Sequence, residues 1–361
     1  MSVVEASQTD RVELPDEFDP RRLVRRAIPV LLALGLIAAV VALAPGLGDV
    51  RRTLGRADPA WLVLAVVFEA LSCLSYVLMF RPIFCPRMAW RTSTEIALSE
   101  LAVGSIVPAS GAGGLALGAW VLHEGGMPPE QIARRSVAFF LVKSSVNFVA
   151  VVVFGVLMAV GILGPHQSPW LTIAPAVAAA LVIAGVVLIP RLGPGEPPPP
   201  DASTWRRLLM HGRQALVTGT TEAIRVIRSG NVLVIVGSIG YWAWDNAVLW
   251  ATFHAFGAAP PISIILMGYL IGQLGGLLPI PGGLGGIDGG LFGTLVLYGA
   301  PAAESAAAIL AYRVVLFWLP LIIGTAAFVS LRRGLNDPSR PDLCDVPSVQ
   351  ELPVVTVPVR G

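Results

Sequence analysis

The sequence predicts an all-α polytopic membrane protein. We expect about six full spans plus two re-entrant hairpins broken by glycine and proline, roughly eight membrane segments in an inverted repeat. Three observations predict it. The 361 residues are 55% hydrophobic and 13% charged, with a mean hydropathy of +0.74, which leaves too few charged groups to coat a water-soluble body of this size. Apolar runs of spanning length recur along the chain. Two stretches that lipid should force into helix are punctuated instead: Val107–Gly114 reads VPASGAGG, and Leu278–Gly290 reads LPIPGGLGGIDGG. A net charge of +2 makes no case for a polyanion, so no nucleic-acid partner is expected. The three cysteines, Cys73, Cys85 and Cys344, are too few and too scattered for a disulfide framework or a thiolate metal site.

Taken in order, residues 1–20 carry Glu5, Asp10, Glu13, Asp16, Glu17 and Asp19 without apolar periodicity, and residues 334–361 are rich in proline and aspartate. Residues 1–27 and 332–361 therefore read as disordered cytoplasmic tails around a transmembrane domain over 28–331. Arg21, Arg22, Arg25 and Arg26 precede the apolar run Ile28–Ala44. Ala42-Leu43-Ala44 has the form of a signal-peptide cleavage site, but the long acidic stretch before it argues for a first membrane helix. The next spans are Pro59–Phe80, ending before Arg81, Arg87 and Arg91; one within Ile132–Leu163; Pro169–Ile189, ended by Arg191; Asn231–Phe256; and Ala302–Leu331, stopped by Arg332 and Arg333. The loop 191–230 opens with GPGEPPPPD. It then interleaves Arg206, Arg207, Arg213, Arg225 and Arg228 with Leu208, Leu209, Leu216, Ile224 and Ile227. That pattern suits a helix lying on an anionic leaflet, or an ordinary basic loop with some helix. Counting arginines places the N-terminus, 81–91, 134–135, 191–230 and 332–333 in the cytoplasm, hence both termini there. Arg51, Arg52 and Arg56 run against the scheme, in a loop it puts outside, with Asp49 and Asp58 beside them.

The two broken stretches align. With Pro108 set over Pro279, the first copy runs on to Gly126-Met127-Pro128 and the second to Gly299-Ala300-Pro301, with a gap of two residues. Each then enters a long apolar helix, which defines repeat units of about 59–164 and 231–331. In the first unit, the segments flanking the break start and finish near cytoplasmic arginines; in the second they start and finish outside. Segments of about 11 to 18 residues are mostly too short to cross ~30 Å of hydrocarbon. Pro108, Gly111, Gly113, Gly114, Pro279, Pro281, Gly282, Gly283 and Gly285 form the expected hairpin backbone. Unpaired backbone groups cost several kcal/mol each in lipid, so such backbone is tolerated only inside protein or beside a water-filled cavity. The rival reading is a tight helical hairpin that packs small residues and binds nothing.

Ionisable residues fall at membrane depth: Glu69, Glu100, Lys143, Asp245 beside Asn246, Asp288 and Arg313. A charge at the bilayer centre costs at least ~2.5–3.5 kcal/mol, so these groups should face an aqueous path or one another. Arg313, Lys143, Asp288, Glu69 and Asp245 are the candidate substrate-binding residues. In the repeat alignment Lys143 stands opposite Leu316, one turn from Arg313, and two cations from opposite halves suit a phosphate. Structural alternatives stay open. Lys143 can snorkel to the surface, Arg313 and Asp288 can form a purely structural pair, and Asp245 with Asn246 can form a local hydrogen-bonded knot among Tyr241, Trp242, Trp244 and Trp250. Glu95 reads as a solvated or capping carboxylate and His254 as a bystander. His123 and Glu124, being adjacent, make no helical metal site. No Walker loop, metal-binding histidine pair or nucleophile elbow is present, and Ser110 has no histidine near in sequence, so no catalytic residue, metal or cofactor is expected.

The block LLPIPGGLGGIDGGLFGTLVLYGAPAAESAAAILAYRVVLFWLPLIIGT resembles the C-terminal hallmark of the lysylphosphatidylglycerol synthase transmembrane, or flippase-like, family, and PASGAGG resembles its first motif. The likeness covers about residues 28–331. Asp288 stands where members often carry glutamate, Arg313 matches their last-helix arginine, and the first motif lacks the charge that many carry after its glycines. The resemblance implies a multi-pass protein of the bacterial inner membrane. In bifunctional relatives this domain moves aminoacylated phospholipid between leaflets while a soluble domain charges the lipid. The chain ends soon after Arg333, so that aminoacyltransferase domain is expected to be missing.

The function expected is translocation of an anionic, phosphate-bearing lipid rather than enzymatic catalysis. Arg313 and Lys143 would hold the phosphate, and Asp288 and Glu69 would balance charge or carry a proton. Membrane lipids are the expected partners, with envelope-biosynthesis proteins as further candidates. Two alternatives stand: an enzyme acting on a polyprenyl-phosphate or glycolipid through a pair such as Asp288 with Glu100, and a non-transporting scaffold of an envelope-synthesis complex.

Overall fold

Proline and small polar side chains start the helices, and glycines in the left-handed region stop several of them. The computed structural model describes residues 48–106, 112–164, 168–193, 195, 203–257, 259–274 and 286–335, with isolated positions 25, 28, 32, 35 and 344. The expected first span, the break residues Pro108, Gly111, Pro279, Pro281, Gly282, Gly283 and Gly285, and nearly all of both tails lie outside the described residues.

The helices are α1 (Gly48–Leu54), α2 (Pro59–Phe84), α3 (Trp90–Ile106), α4 (Ala112–Glu124), α5 (Pro129–Ala159), α6 (Pro169–Leu188), α7 (Thr204–Arg228), α8 (Val232–Ala255), α9 (Ile262–Leu274), α10 (Gly286–Leu297) and α11 (Ala302–Leu335). No strand occurs among the described residues. Five helices are long and apolar enough to cross a membrane: α2, α5, α6 with its 3-10 extension, α8 and α11. At 1.5 Å per residue, the 17 residues of α3 reach about 26 Å and the 13 of α4 and of α9 about 20 Å, short of a hydrocarbon core of ~30 Å.

Local chemistry sets the boundaries. Asp58 caps α2 by accepting from the Ala60 N–H at 2.9 Å, with Pro59 as the first helical residue. Asn231 caps α8 from Leu233 and Val234. The turns after α4 and α10 are built alike. Gly126 and Gly299 take φ of 84° and 92°, the left-handed conformation open to glycine. Met127 N–H then donates to Leu122 and Ala300 N–H to Leu295, the 6→1 bond of a Schellman ending. Ile132 and Ser305 N–H groups close the next helices onto Pro128 and Pro301. Every one of these matched pairs keeps the two-residue offset read from the sequence.

Packing repeats as well. α2 and α8 make the most extensive helix pair. The contacts of α2–α3, α3–α4, α4–α5 and α2–α5 have counterparts in α8–α9, α9–α10, α10–α11 and α8–α11. α3 lies on α11, the long helix of the other half, and α9 lies correspondingly on α5. Two apolar cores result. One gathers Phe80, Phe84, Ile96, Leu117, Leu122 and Phe139, and the other Leu249, Phe253, Ile265, Met267, Leu291 and Leu295. α6 and α7 pack on the outside of α5. Large apolar side chains such as Val63, Ile173, Leu181 and Ile322 stay exposed, as a lipid solvent requires.

Candidate functional site

The long helices carry their polar residues about halfway along. Glu69 is the eleventh residue of α2, Asp245 the fourteenth of α8 and Arg313 the twelfth of α11. Glu69, Asp245 and Glu100 are only 5%, 8% and 2% exposed. Glu69 and Asp245 line one cavity of about 100 Å³ with Ser72, Cys73, Leu101, Ser105, Tyr241, Leu316 and Pro320, so α2, α3, α8 and α11 each supply a wall.

The two cavity carboxylates are held differently. Asp245 accepts a hydrogen bond on each oxygen, from Tyr269 of α9 and, at 3.1 Å, from Tyr312 of α11, and it feels the charge of Arg313. It is therefore no local knot with Asn246, whose amide turns to the Trp242 carbonyl at 2.8 Å. Glu69 has one weak contact, from the Cys73 thiol to Oε1 at 3.7 Å, while its buried Oε2 has no hydrogen-bond partner among the described residues.

Neither Arg313 nor Lys143 is among the residues that line the cavity. Arg313 is paired with Asp288 in the first turn of α10, where a carboxylate also meets the positive end of the helix dipole. Lys143 does not reach out of the protein. Its Nζ lies over the rings of Tyr76 and Tyr241, 5.7 Å from each centroid, with Glu100 as its electrostatic partner. Tyr76 donates to Glu100 Oε2 at 2.8 Å, and Glu100 Oε1 fills the place where a Cβ on Gly118 would stand. The five candidate residues thus fall into three groups: Glu69 and Asp245 share the cavity, Arg313 pairs with Asp288, and Lys143 has Glu100, outside the five, as its electrostatic partner. Gly113 and Gly114, expected in the hairpin break, lie in the first turn of α4, where Gly114 lets the chain approach the Glu100 carbonyl.

One further expectation changes. Glu95 is buried rather than solvated: its Oε1 accepts from Ser330 of α11 at 2.7 Å and from Arg91 at 3.1 Å. His254 is packed between Trp61 and Trp250, with ring centroids 4.7 and 4.1 Å away. Cys85 and Cys344 meet, with the Cys85 thiol 3.7 Å from the Cys344 carbonyl. Hydrogen bonding from Cys344, then the N–H groups of Arg87 and Met88 and the charge of Arg135, outweigh burial and bring the Cys85 thiol down to about 6. Spacing along the sequence does not mark the tyrosines as ligands of these charges. The chain has five, and four of them, Tyr76, Tyr241, Tyr269 and Tyr312, surround the buried charges. Among the described residues no three His, Cys, Asp or Glu side chains gather as a metal centre would need.

Helices of spanning length, apolar surfaces and a polar centre define an integral, multi-pass membrane protein. Residues 30–324 match the family described as the lysylphosphatidylglycerol synthase TM region, and the chain belongs to that family. Among similar proteins are two UPF0104 membrane proteins of Methanothermobacter thermautotrophicus. One is 27% identical over 343 residues, covering 86% of this chain and 95% of the relative. The other is 24% identical over 320 residues, covering 82% and 94%. A third protein of that name and organism is 28% identical over 117 residues, about a third of each chain.

Proposed function

We propose that the protein translocates a phosphate-bearing anionic lipid between leaflets. The observation that carries this reading is a polar cavity amid apolar packing, with one basic residue in the long helix of each half: Arg313 in α11 and Lys143, over the cavity-lining Tyr241, in α5. An anionic headgroup entering the cavity would draw Arg313 away from Asp288 and compete with Glu100 for Lys143. A guanidinium and an ammonium both favour phosphate oxygens. Acyl chains would remain in the bilayer, so a cavity of headgroup scale suffices.

The paired packing of the two halves supports an inverted repeat in which α3–α4 and α9–α10 are re-entrant hairpins. Rocking of one unit against the other would expose the site to each leaflet in turn. The enzymatic alternative fits less well, since Asp288 and Glu100 belong to separate contacts, with Arg313 and with Tyr76 and Lys143.

The test is leaflet exchange of a fluorescent phosphatidylglycerol in proteoliposomes, read by dithionite quenching. Wild-type protein should accelerate exchange. Arg313→Ala should lower the rate at least tenfold, the loss of ~1.4 kcal/mol or more expected for a charge-assisted contact, while Arg313→Lys retains part of it. Equal rates for wild type and Arg313→Ala would overturn the proposal.

A further inference from the structure

Glu69 stands apart from the other buried charges. Each of the others has a donor or a counter-ion: Asp245 two tyrosine hydroxyls, Asp288 the Arg313 guanidinium, Glu100 the Tyr76 hydroxyl and Lys143. Glu69 lines the polar cavity, and its buried Oε2 accepts nothing among the described residues. Its neighbours add negative charge rather than relieve it. Asp245 of α8 shares the cavity and repels it, and the nearby titratable groups are Cys73 of α2, Tyr241 of α8 and Tyr312 of α11. The cations on the packed helices are committed elsewhere, Arg313 to Asp288 and Lys143 to the tyrosine rings and Glu100. A buried carboxylate with only a weak thiol donor and a second carboxylate beside it is stabilised by taking up a positive charge.

We propose that Glu69 is a proton-exchange site facing the cavity, with Asp245 as its fixed anionic neighbour. Each oxygen of Asp245 already accepts a tyrosine hydroxyl, whereas Glu69 Oε2 accepts none among the described residues. A proton needs only one free lone pair on Glu69, and the hydroxyls of Ser72 and Ser105 in the cavity wall are suited to relay it through water. The consequence rests on the translocation reading. A neutral Glu69 lets an anionic headgroup enter beside Asp245, so one proton moves with each headgroup and is released when the headgroup leaves.

Two measurements test the site and its use separately. Infrared spectroscopy of the full-length protein in phosphatidylethanolamine/phosphatidylglycerol vesicles should show a protonated-carboxyl C=O band that shifts in D2O. Glu69→Gln should remove a component of that absorption which Asp245→Asn and Glu100→Gln leave in place, and Glu69→Asp should restore one. A wild-type spectrum with no component lost in Glu69→Gln overturns the proposal.

In the same vesicles, a gradient of one pH unit should bias the distribution of fluorescent phosphatidylglycerol between leaflets up to tenfold, the equivalent of 1.36 kcal/mol per proton. The bias should vanish in Glu69→Gln. A bias produced by a sodium gradient, or one that persists in Glu69→Gln, overturns proton coupling. If wild type moves no probe while the band still maps to Glu69, the proton site stands and the lipid-translocation reading fails.

Discussion

Asp245 shows what a single residue does in this fold. Sitting mid-helix, it must find donors inside the protein, and it recruits Tyr269 and Tyr312 from two other helices, 24 and 67 residues away in sequence. That a carboxylate at this depth needs partners was legible from hydropathy alone. Which partners it takes was not, because helix crossing and not spacing along one helix brings the hydroxyls to it. The same holds for Glu100, met by Tyr76 of α2, and for Glu95, met by Ser330 of α11. Removing one donor tests the arrangement. Hydrogen bonds to charged groups are worth ~1.5–3 kcal/mol in soluble proteins, but in membranes the unfolded chain also finds partners and the coupling falls to ~0.6–1.7 kcal/mol. The membrane figure governs here, so Tyr312→Phe should lower stability by about 1 kcal/mol. In a double-mutant cycle with Asp245→Asn on the detergent-solubilised protein, the coupling should account for most of that loss. Purely additive effects would show that the hydroxyl is held for some other reason.

At the scale of elements, patterning and punctuation were largely readable. Pro59 and Pro169 mark the starts of α2 and α6 as expected, and the short segments around both breaks appear as α3, α4, α9 and α10. Ends shifted where local chemistry outweighed hydropathy. α2 continues through Arg81 and Pro82 to Phe84, because an arginine in the last turn complements the helix dipole. α5 stops at Ala159, short of Leu163, because Gly161 turns the chain with φ 74°. The basic stretch in 201–230 is a strongly amphipathic helix, α7, with Val217, Gly219, Thr220 and Ala223 buried and Trp205, Leu208 and Leu209 exposed. The intimacy of α2 and α8 was not readable, because it depends on one missing side chain. A Cβ on Gly237 would stand 2.8 Å from the Met79 nitrogen and the Ser75 carbonyl. Those are backbone atoms of the helix that carries Glu69, and they cannot swing aside. Gly237→Leu should therefore cost about 1–3 kcal/mol by overpacking and also open the cavity. Gly185→Leu, on an exposed face with nothing within 4 Å, should be near neutral. Thermal unfolding in detergent compares them directly, and equal melting temperatures would contradict the close approach.

For the whole molecule, a few contacts settle which helix ends lie together. Asp58 N–H donates to the Ala255 carbonyl, so α2 begins where α8 ends. Arg135 donates to the Phe84 carbonyl, which puts the start of α5 at the far end of α2, and Ser330 bonds Glu95, which puts the end of α11 there too. That end gathers Arg81, Arg87, Arg91, Arg134, Arg135, Arg332 and Arg333, and α7 joins it through Gly219 against Val137 and the Arg134 carbonyl. Since α11 finishes at the arginine-rich end, it begins at the opposite one. The turn at Gly126, which feeds α5, and the turn at Gly299, which feeds α11, therefore lie at opposite ends although they are built from the same hydrogen bonds. Sequence punctuation shows that the turns are alike and the arginine count sets them on opposite faces; the tertiary contacts, which depend on neither pattern, give the same opposite placement. The positive-inside rule favours a cytoplasmic arginine-rich end, with Arg51, Arg52 and Arg56 running against it beside Asp49 and Asp58 at the other. A membrane-impermeant maleimide should then label Glu124→Cys only in inside-out vesicles and Ala302→Cys only in right-side-out ones. Labelling of both positions from one side would break the inverted relation between the units. Alternating access through the cavity between them would then lose its geometric basis, however well the individual helices agree.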